Sequence, residues 1–459
     1  MPADKPKNVR IVTLGCAKNE VDSEEIAGVL RSEGWSVDGS EDAELTVINT
    51  CGFLESAKRE SIEAIKAAVA AKRGRVIVAG CLAQRMGAEL LRLAPGADLY
   101  VGVGQMARFG EIATSVFGHD GPYVDVEPPH HRWAAVETRA RTGRPWSAYL
   151  KVSEGCDHKC TFCTIPSFRG PHVSKPIERV VAEANHLAKT GTKEINLIAQ
   201  DVTQYGYDLY KEFTLPKLLR ELNKVEGIEW VRMLYFYPNR LTDEVIEAMA
   251  TLPKVVEYVD IPLQHTHPDV LRRMKRPWDG PRYLKLVEKL RSAMPDVAVR
   301  TTFIVGFPGE TDAEFDHVVE FVKEARLDRV GAFLFSREPG TPAHDMPDQV
   351  PLRVKQQRYD RLMRTQQAVS LEKSRSWEGR ALRVLVDECK DGWVAGRSFR
   401  DAPEIDGWVY ARGSASPGSF VTVHVTEGKE HDLYGHLEGT DAPRRQPRSL
   451  QMSPLRQAR

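Results

Sequence analysis

Lys151-Val152-Ser153-Glu154-Gly155-Cys156-Asp157-His158-Lys159-Cys160-Thr161-Phe162-Cys163 packs three cysteines into eight residues, separated by three residues and then by two. Thiolates hold iron–sulfur clusters, and a cubane cluster has four irons to ligate. Three clustered thiolates therefore leave one iron open to a further ligand. Zinc also takes sulfur and could recruit His158 as its fourth ligand. Spacing alone favours iron–sulfur and leaves zinc open.

Outward from this stretch the chain repeats one pattern. Strands are expected at 148–152, 194–199, 230–235, 255–261, 297–305 and 330–335, each followed by a helical stretch, the last at about 352–373. Six strand–helix units are too few for the eight-stranded barrel and suit a partial one, whose site lies at the strands' carboxyl ends. The three-cysteine loop follows the first strand and falls at that end. His265-Thr266-His267 is a weak metal signal, with no third partner close in sequence.

Before residue 120, strands at 9–14, 35–37, 45–49, 76–79 and 99–101 alternate with helices at 23–32, 54–71 and 83–93. That alternation predicts a parallel α/β sheet. Cys16, Cys51 and Cys81 each fall just past a strand's carboxyl end, on the edge where open α/β sheets bind ligands. One such cysteine reads as a small buried residue; three equivalent positions read as a second metal site. Gly15, Gly52 and Gly80, each beside its cysteine, let the backbone approach a bulky group. Asn19 and Asn49 suit local loop bonding.

Residues 118–144 lack a clear period and read as a connection, with His130 and His131 solvated. Past Glu378 come short strands at 382–386, 393–396, 407–411, 420–425 and 433–436, as in a five-stranded antiparallel barrel of OB type. Between 376 and 440, seven Lys/Arg face eleven Asp/Glu, a net −4 that repels an RNA backbone and suits a basic protein partner. Cys389 reads as structural. The tail, 441–459, has few apolar residues and is expected to be disordered.

At 459 residues and 42% hydrophobic content the chain holds several packed domains. They are read as 8–120, a linker 121–145, 146–375, 376–440 and the tail 441–459. A formal net charge of zero removes global basicity as an argument for RNA. With no apolar signal core and no membrane-length run, and with cysteines placed for ligation rather than disulfides, a cytoplasmic protein is expected.

Cys156, Cys160 and Cys163, with Phe162 before the last, resemble the radical S-adenosylmethionine superfamily. There the open iron is chelated by S-adenosylmethionine, and an electron from the cluster cleaves the sulfonium to a 5′-deoxyadenosyl radical. Two triads, a partial barrel and a terminal small barrel together resemble the radical S-adenosylmethionine methylthiotransferases, from about Asn8 to Gly439. Leu14 to Asn19, Asn49 to Phe53, Ala79 to Leu82 and Ile165 to Gly170 match that family's motifs.

The resemblance implies two 4Fe–4S clusters, on Cys156/Cys160/Cys163 and on Cys16/Cys51/Cys81, and a terminal TRAM domain. It places Phe162, Gln200, Arg300 and Gly306 at the S-adenosylmethionine site. Lys18 to Glu24 and Cys51-Gly52-Phe53 look like the branch that methylthiolates an aspartate β-carbon of small-subunit ribosomal protein S twelve (uS12). That carbon has no acidity or leaving group, so its chemistry calls for a cofactor radical. One S-adenosylmethionine would supply the methyl and a second the radical, with a reduced flavodoxin or ferredoxin as electron donor. The alternatives are tRNA adenosine methylthiolation and, in another class, a zinc-containing nucleic-acid-binding protein.

Overall fold

The structure is a computed structural model that describes residues 7–119, 121–129, 131, 133–136 and 139–439. The tail and His130 lie outside those residues. Six parallel strands form the first sheet: β1 (Asn8–Thr13), β2 (Ser36–Val37), β3 (Leu45–Thr50), β4 (Arg75–Gly80), β5 (Leu99–Val101) and β6 (Tyr123–Asp125), in the order β2-β1-β3-β4-β5-β6. The last of these lies within the stretch read as a connection and pairs with β5. β3 is buried along its whole length, as a strand covered on both faces must be.

The helix α1 (Ala17–Ser32) starts six residues before the amphipathic pattern does. Its first turns carry Lys18, Asn19, Asp22, Ser23 and Glu24, all buried, so the usual rule of polar residues outward fails there. The helix expected at 83–93 is two, Cys81–Met86 and Ala88–Leu93, broken at Gly87 with φ +48°.

The central domain is a partial barrel of six parallel strands. Ser147–Lys151, Glu194–Ile198 and Trp230–Met233 form one run, and Tyr258–Asp260, Ala298–Val305 and Arg329–Leu334 the other. A single bridge from Val231 to Val255 joins the two runs. Helices cover the outside over one core, which includes Leu150, Leu197, Val231, Val299 and Phe303, with Leu362 from the long helix Leu352–Arg375. The inner face packs Tyr149, Ile198, Trp230, Leu234 and Tyr258 against Ala17 and Val21 of α1 and against Leu385 and Ala402 of the last domain.

That last domain is a closed barrel of Ala381–Lys390, Trp393–Ser398, Val409–Arg412, Phe420–Gly428 and Leu433–Leu437. It is not wholly antiparallel. The fifth strand runs parallel beside the third, because it must pair with both the third and the fourth to close the barrel. The domain docks on the amino ends of the central strands, away from the three-cysteine loop. Buried Arg397 pairs with Glu194 and Asp387, Arg400 with Asp328 at 3.0 Å, and Arg329 with Asp401 at 2.9 Å. Arg232 donates to the Ser398 and Phe399 carbonyls, and the Tyr258 hydroxyl to Asp406 at 2.6 Å. Asp387, Asp401 and Asp406 are thus spent internally, as are Arg397 and Arg400. The accessible remainder still carries eight acids against five bases. Among the described residues no helix is long and apolar enough to cross a membrane.

Candidate active site between two cysteine triads

β1, β3 and β4 are adjacent and parallel, and Cys16, Cys51 and Cys81 follow their carboxyl ends. Cys16 caps α1, Cys51 directly follows β3, and Cys81 opens the helix after β4. Gly15 has φ +97°, and a Cβ there would lie 2.6 Å from Cys51 Cβ and 3.0 Å from its Sγ. Only glycine allows that approach. Asn19 Nδ2 donates to the carbonyls of Leu14 at 2.7 Å and Thr50 at 3.0 Å, and Asn49 Nδ2 donates to the Asn19 carbonyl at 2.8 Å. Both asparagines therefore tie the cysteine loops together, and only the Asn19–Leu14 bond is as local as expected, the other two spanning 31 and 30 residues. Ser61 Oγ accepts from Cys51 N and donates to Cys51 O, each at 3.1 Å.

The second triad lies at the carboxyl end of the central barrel. Cys156 N donates to Gly170 O at 3.0 Å and Cys163 N to Cys160 O at 3.1 Å, which curls the loop. Arg276 approaches Cys160 Sγ at 3.9 Å and stacks its guanidinium on Tyr237 at 4.1 Å. His158 is committed elsewhere: Nε2 lies 2.7 Å from Asp201 Oδ2, and the ring stacks on Tyr237 with centroids 3.6 Å apart.

Burial pushes the thiols of Cys81, Cys156 and Cys163 up to about 12 and raises that of Cys51 as well. A bound metal group is what turns such thiols into thiolates. A zinc with Zn–S bonds of about 2.3 Å would hold its sulfurs less than about 4 Å apart. Among the described residues, three donor atoms come within 4.8 Å of one another only at His267, Asp269 and Glu314. Neither cysteine triad is gathered that closely. Both carboxylates of the His267 group already have arginine partners, Glu314 with Arg273 at 3.2 Å and Asp269 with Arg272 at 2.7 Å.

A buried charge network joins the triads. Arg169, six residues past Cys163, donates to Cys81 Sγ from Nε at 3.3 Å and from Nη2 at 3.1 Å. It also pairs with Asp22 at 2.8 Å and Glu154 at 2.9 Å. Lys151 pairs with the same two carboxylates, at 2.5 and 2.8 Å. Burial alone would weaken the charge on Arg169, but Asp22, Cys81 and Glu154 outweigh it and hold the guanidinium protonated. Likewise Arg169 and Lys151 keep Glu154 ionised, well below the ordinary carboxylate range, against its burial. Sequence reasoning missed these roles, and Lys18 too, because nothing local marks a charged residue for burial. Lys18 is buried with its ammonium 3.7 Å over the Tyr235 ring, and burial lowers its pKa.

Of the expected cofactor residues, Phe162 packs in one apolar cluster with Ile304 and Phe307, either side of Gly306. Gly306 has φ +74°, and its N–H donates to both Glu310 oxygens. Gln200 donates to Glu154 at 3.1 Å, while its Oε1 is buried without a partner. Arg300 lies five residues before the end of its strand, bound to Asp260 at 2.7 Å and 3.6 Å from Asp406. His131 is half-buried rather than solvated, with Nε2 2.7 Å from the Arg169 carbonyl. Cavities of about 740 and 630 Å³ lie beside Gly74 and Ile405, and neither is lined by any of these six cysteines.

Three family profiles match this chain: the radical SAM superfamily over residues 150–322, the uncharacterized protein family UPF0004 over 8–102, and the TRAM domain over 379–437. The ribosomal protein uS12 methylthiotransferase RimO of Moorella thermoacetica is 48% identical over 422 residues, covering 91% of this chain and 96% of its own. The chain belongs to the uS12 methylthiotransferase family. The Synechocystis member is 44% identical over 432 residues, with 93% and 97% covered. The family is one of radical S-adenosylmethionine enzymes, with S-adenosylmethionine and 4Fe–4S chemistry as its cofactors. The radical S-adenosylmethionine methyltransferase TsrM of Kitasatospora setae shares the fold, with a TM-score of 0.55 at 16% identity over 74% of each chain.

Proposed function

We propose that this chain methylthiolates the β-carbon of an aspartate in ribosomal protein uS12, with each cysteine triad holding its own 4Fe–4S cluster. The observation that carries the two-cluster reading is the pairing of separate triads, one at each domain's strand ends, linked through Arg169. When bound, the clusters and S-adenosylmethionine supply the radical and the sulfur chemistry that an unactivated carbon requires.

The chain's own residues then have distinct tasks. Cys156, Cys160 and Cys163 hold the radical cluster, with Phe162, Gln200 and Gly306 around the cofactor and Arg300 deeper in the barrel. Cys16, Cys51 and Cys81 hold the auxiliary cluster. Glu154 and Arg169 fix the distance between the two. The acid excess on the accessible face of the last domain supports a basic protein partner, through complementary potentials that raise association rate. A reduced flavodoxin or ferredoxin supplies electrons, and a ribosomal substrate places the enzyme in the cytoplasm.

Replacing Cys156, Cys160 and Cys163 with alanine is expected to halve the iron and abolish cleavage of S-adenosylmethionine. Replacing Cys16, Cys51 and Cys81 should also halve the iron, stopping methylthiolation while cleavage persists. Full iron in the first variant, or methylthiolated product from the second, would overturn the assignment.

A further inference from the structure

Five lysines are buried: Lys18, Lys58, Lys151, Lys175 and Lys355. Four have oxygen partners. Lys58 pairs with Glu338 at 3.0 Å, Lys151 with Asp22 and Glu154, Lys175 with Glu183 at 2.7 Å, and Lys355 donates to the Phe335 carbonyl at 2.8 Å. Lys18 stands apart. Among the described residues no carboxylate lies within 4.0 Å of its ammonium and it donates no hydrogen bond; its contact is the face of Tyr235. A buried cation without an anion is costly, and proteins keep one mainly where something else completes it.

The place is specific. Lys18 sits in the first turn of α1, two residues past Cys16. Tyr235 lies just past the third central strand, at the barrel's carboxyl end, with φ +67°. A tyrosine in that region is held by its surroundings, and such strain gathers at functional positions. The acids nearest by are already engaged. Asp260 accepts from Tyr235 N at 3.2 Å and pairs with Arg300, and Glu154 is taken by Arg169 and Lys151. Among the acidic groups around it the ammonium feels Cys16 most, ahead of Glu154 and Asp260, and among the described residues it has no carboxylate within 4.0 Å.

The sixth central strand, Arg329–Leu334, carries an exposed side chain. A Cβ on Gly331 would point at Thr302 Oγ1 and Arg300, which puts Gly331 on the inner face. Phe333, two residues on, shares that face and is 54% exposed. That exposed apolar side chain is a contact available to a segment of a substrate protein.

On the reading that uS12 aspartate is the substrate, we infer that Lys18 is the specificity residue that receives the side-chain carboxylate of that aspartate. The reacting β-carbon is one bond from the carboxylate. Pinning the carboxylate on Lys18 holds that carbon beside the triad that includes Cys16. Tyr235 sets the ammonium's position from beneath through the ring face, an interaction that leaves the N–H donors free for the ligand.

The experiment compares uS12 with a form whose modified aspartate, located by mass spectrometry, is replaced by asparagine. Holoenzyme of wild type, Lys18→Gln and Lys18→Arg is assayed for kcat/KM on both, with iron per chain measured alongside. A charge-assisted bond predicts an aspartate preference of about 10- to 100-fold in wild type. Lys18→Gln should lose most of it and Lys18→Arg should keep it. Wild-type preference retained in Lys18→Gln overturns the inference. So does an effect of that variant confined to the S-adenosylmethionine concentration needed for half-maximal cleavage, which would assign the ammonium to the cofactor's carboxylate. If Lys18→Gln fails to load iron, the wild type and Lys18→Arg still decide, since absence of preference in both overturns it. Turnover of neither form by wild type sinks the uS12 reading itself, a separate result.

Discussion

Arg169 Nη2 lies 3.1 Å from Cys81 Sγ, so the chain just past one cysteine triad touches the other. The same guanidinium binds Asp22 of the first domain and Glu154 of the second. Two domains that each present a triad at their strand ends are thereby locked with those ends facing each other.

Arg169→Met would leave Asp22 and Glu154 buried with Lys151 as their remaining cation. Removing one partner of a buried ion pair costs about 3–5 kcal/mol, so denaturant unfolding should show a loss of that order. Iron per chain should fall as well, because Cys81 loses its positioning donor. Wild-type stability with full iron would show that the network is incidental.

Glu183 gives the fold an acid-sensitive element. Burial opposes its charge, but Lys175 and Arg139 hold its pKa down to about 2 from an ordinary 4.5. A lowered carboxylate pKa stabilises the fold above about pH 4.5, and that contribution is lost as pH falls toward 2. The shift corresponds to about 3 kcal/mol. Glu183→Gln should be less stable at pH 7 and should show a flatter loss between pH 4.5 and 2 in chemical denaturation. An acid limb unchanged from wild type would contradict this.

The terminal barrel is a structural cap as well as a charged surface. Truncation at Ser376 would expose Arg232, Trp230 and Tyr258, all buried, so a melting temperature several degrees lower is expected for the remainder. Its role toward substrate is better tested on accessible charges. Glu388→Lys with Asp391→Lys should slow association with uS12 several-fold at low salt, the difference shrinking as ionic strength screens it. Equal association rates at low salt would remove the last domain from substrate attraction.

What the sequence disclosed and what it hid follow from the same physics. The placement of the six cysteines past strand ends was legible because those ends are visible as β-branched runs. The start of α1 was not, because Lys18 to Glu24 are polar yet buried between domains, and periodicity assumes polar residues face water. Gly87 broke a helix that its apolar pattern ran straight through. The parallel pairing of Val409–Arg412 with Leu433–Leu437 was invisible too, since alternation records which face a residue takes and not the direction of its neighbour. Arg169 was quoted within a motif, but only the folded chain shows which thiol it meets.

The most direct measurement is mass spectrometry of uS12 and of tRNA from a strain lacking this gene, beside its parent. The expected result is that uS12 loses the mass of one methylthio substitution on an aspartate while tRNA methylthioadenosine is unchanged. Unaltered uS12 together with loss of methylthioadenosine from tRNA would contradict the substrate, and would move this chain to the tRNA branch.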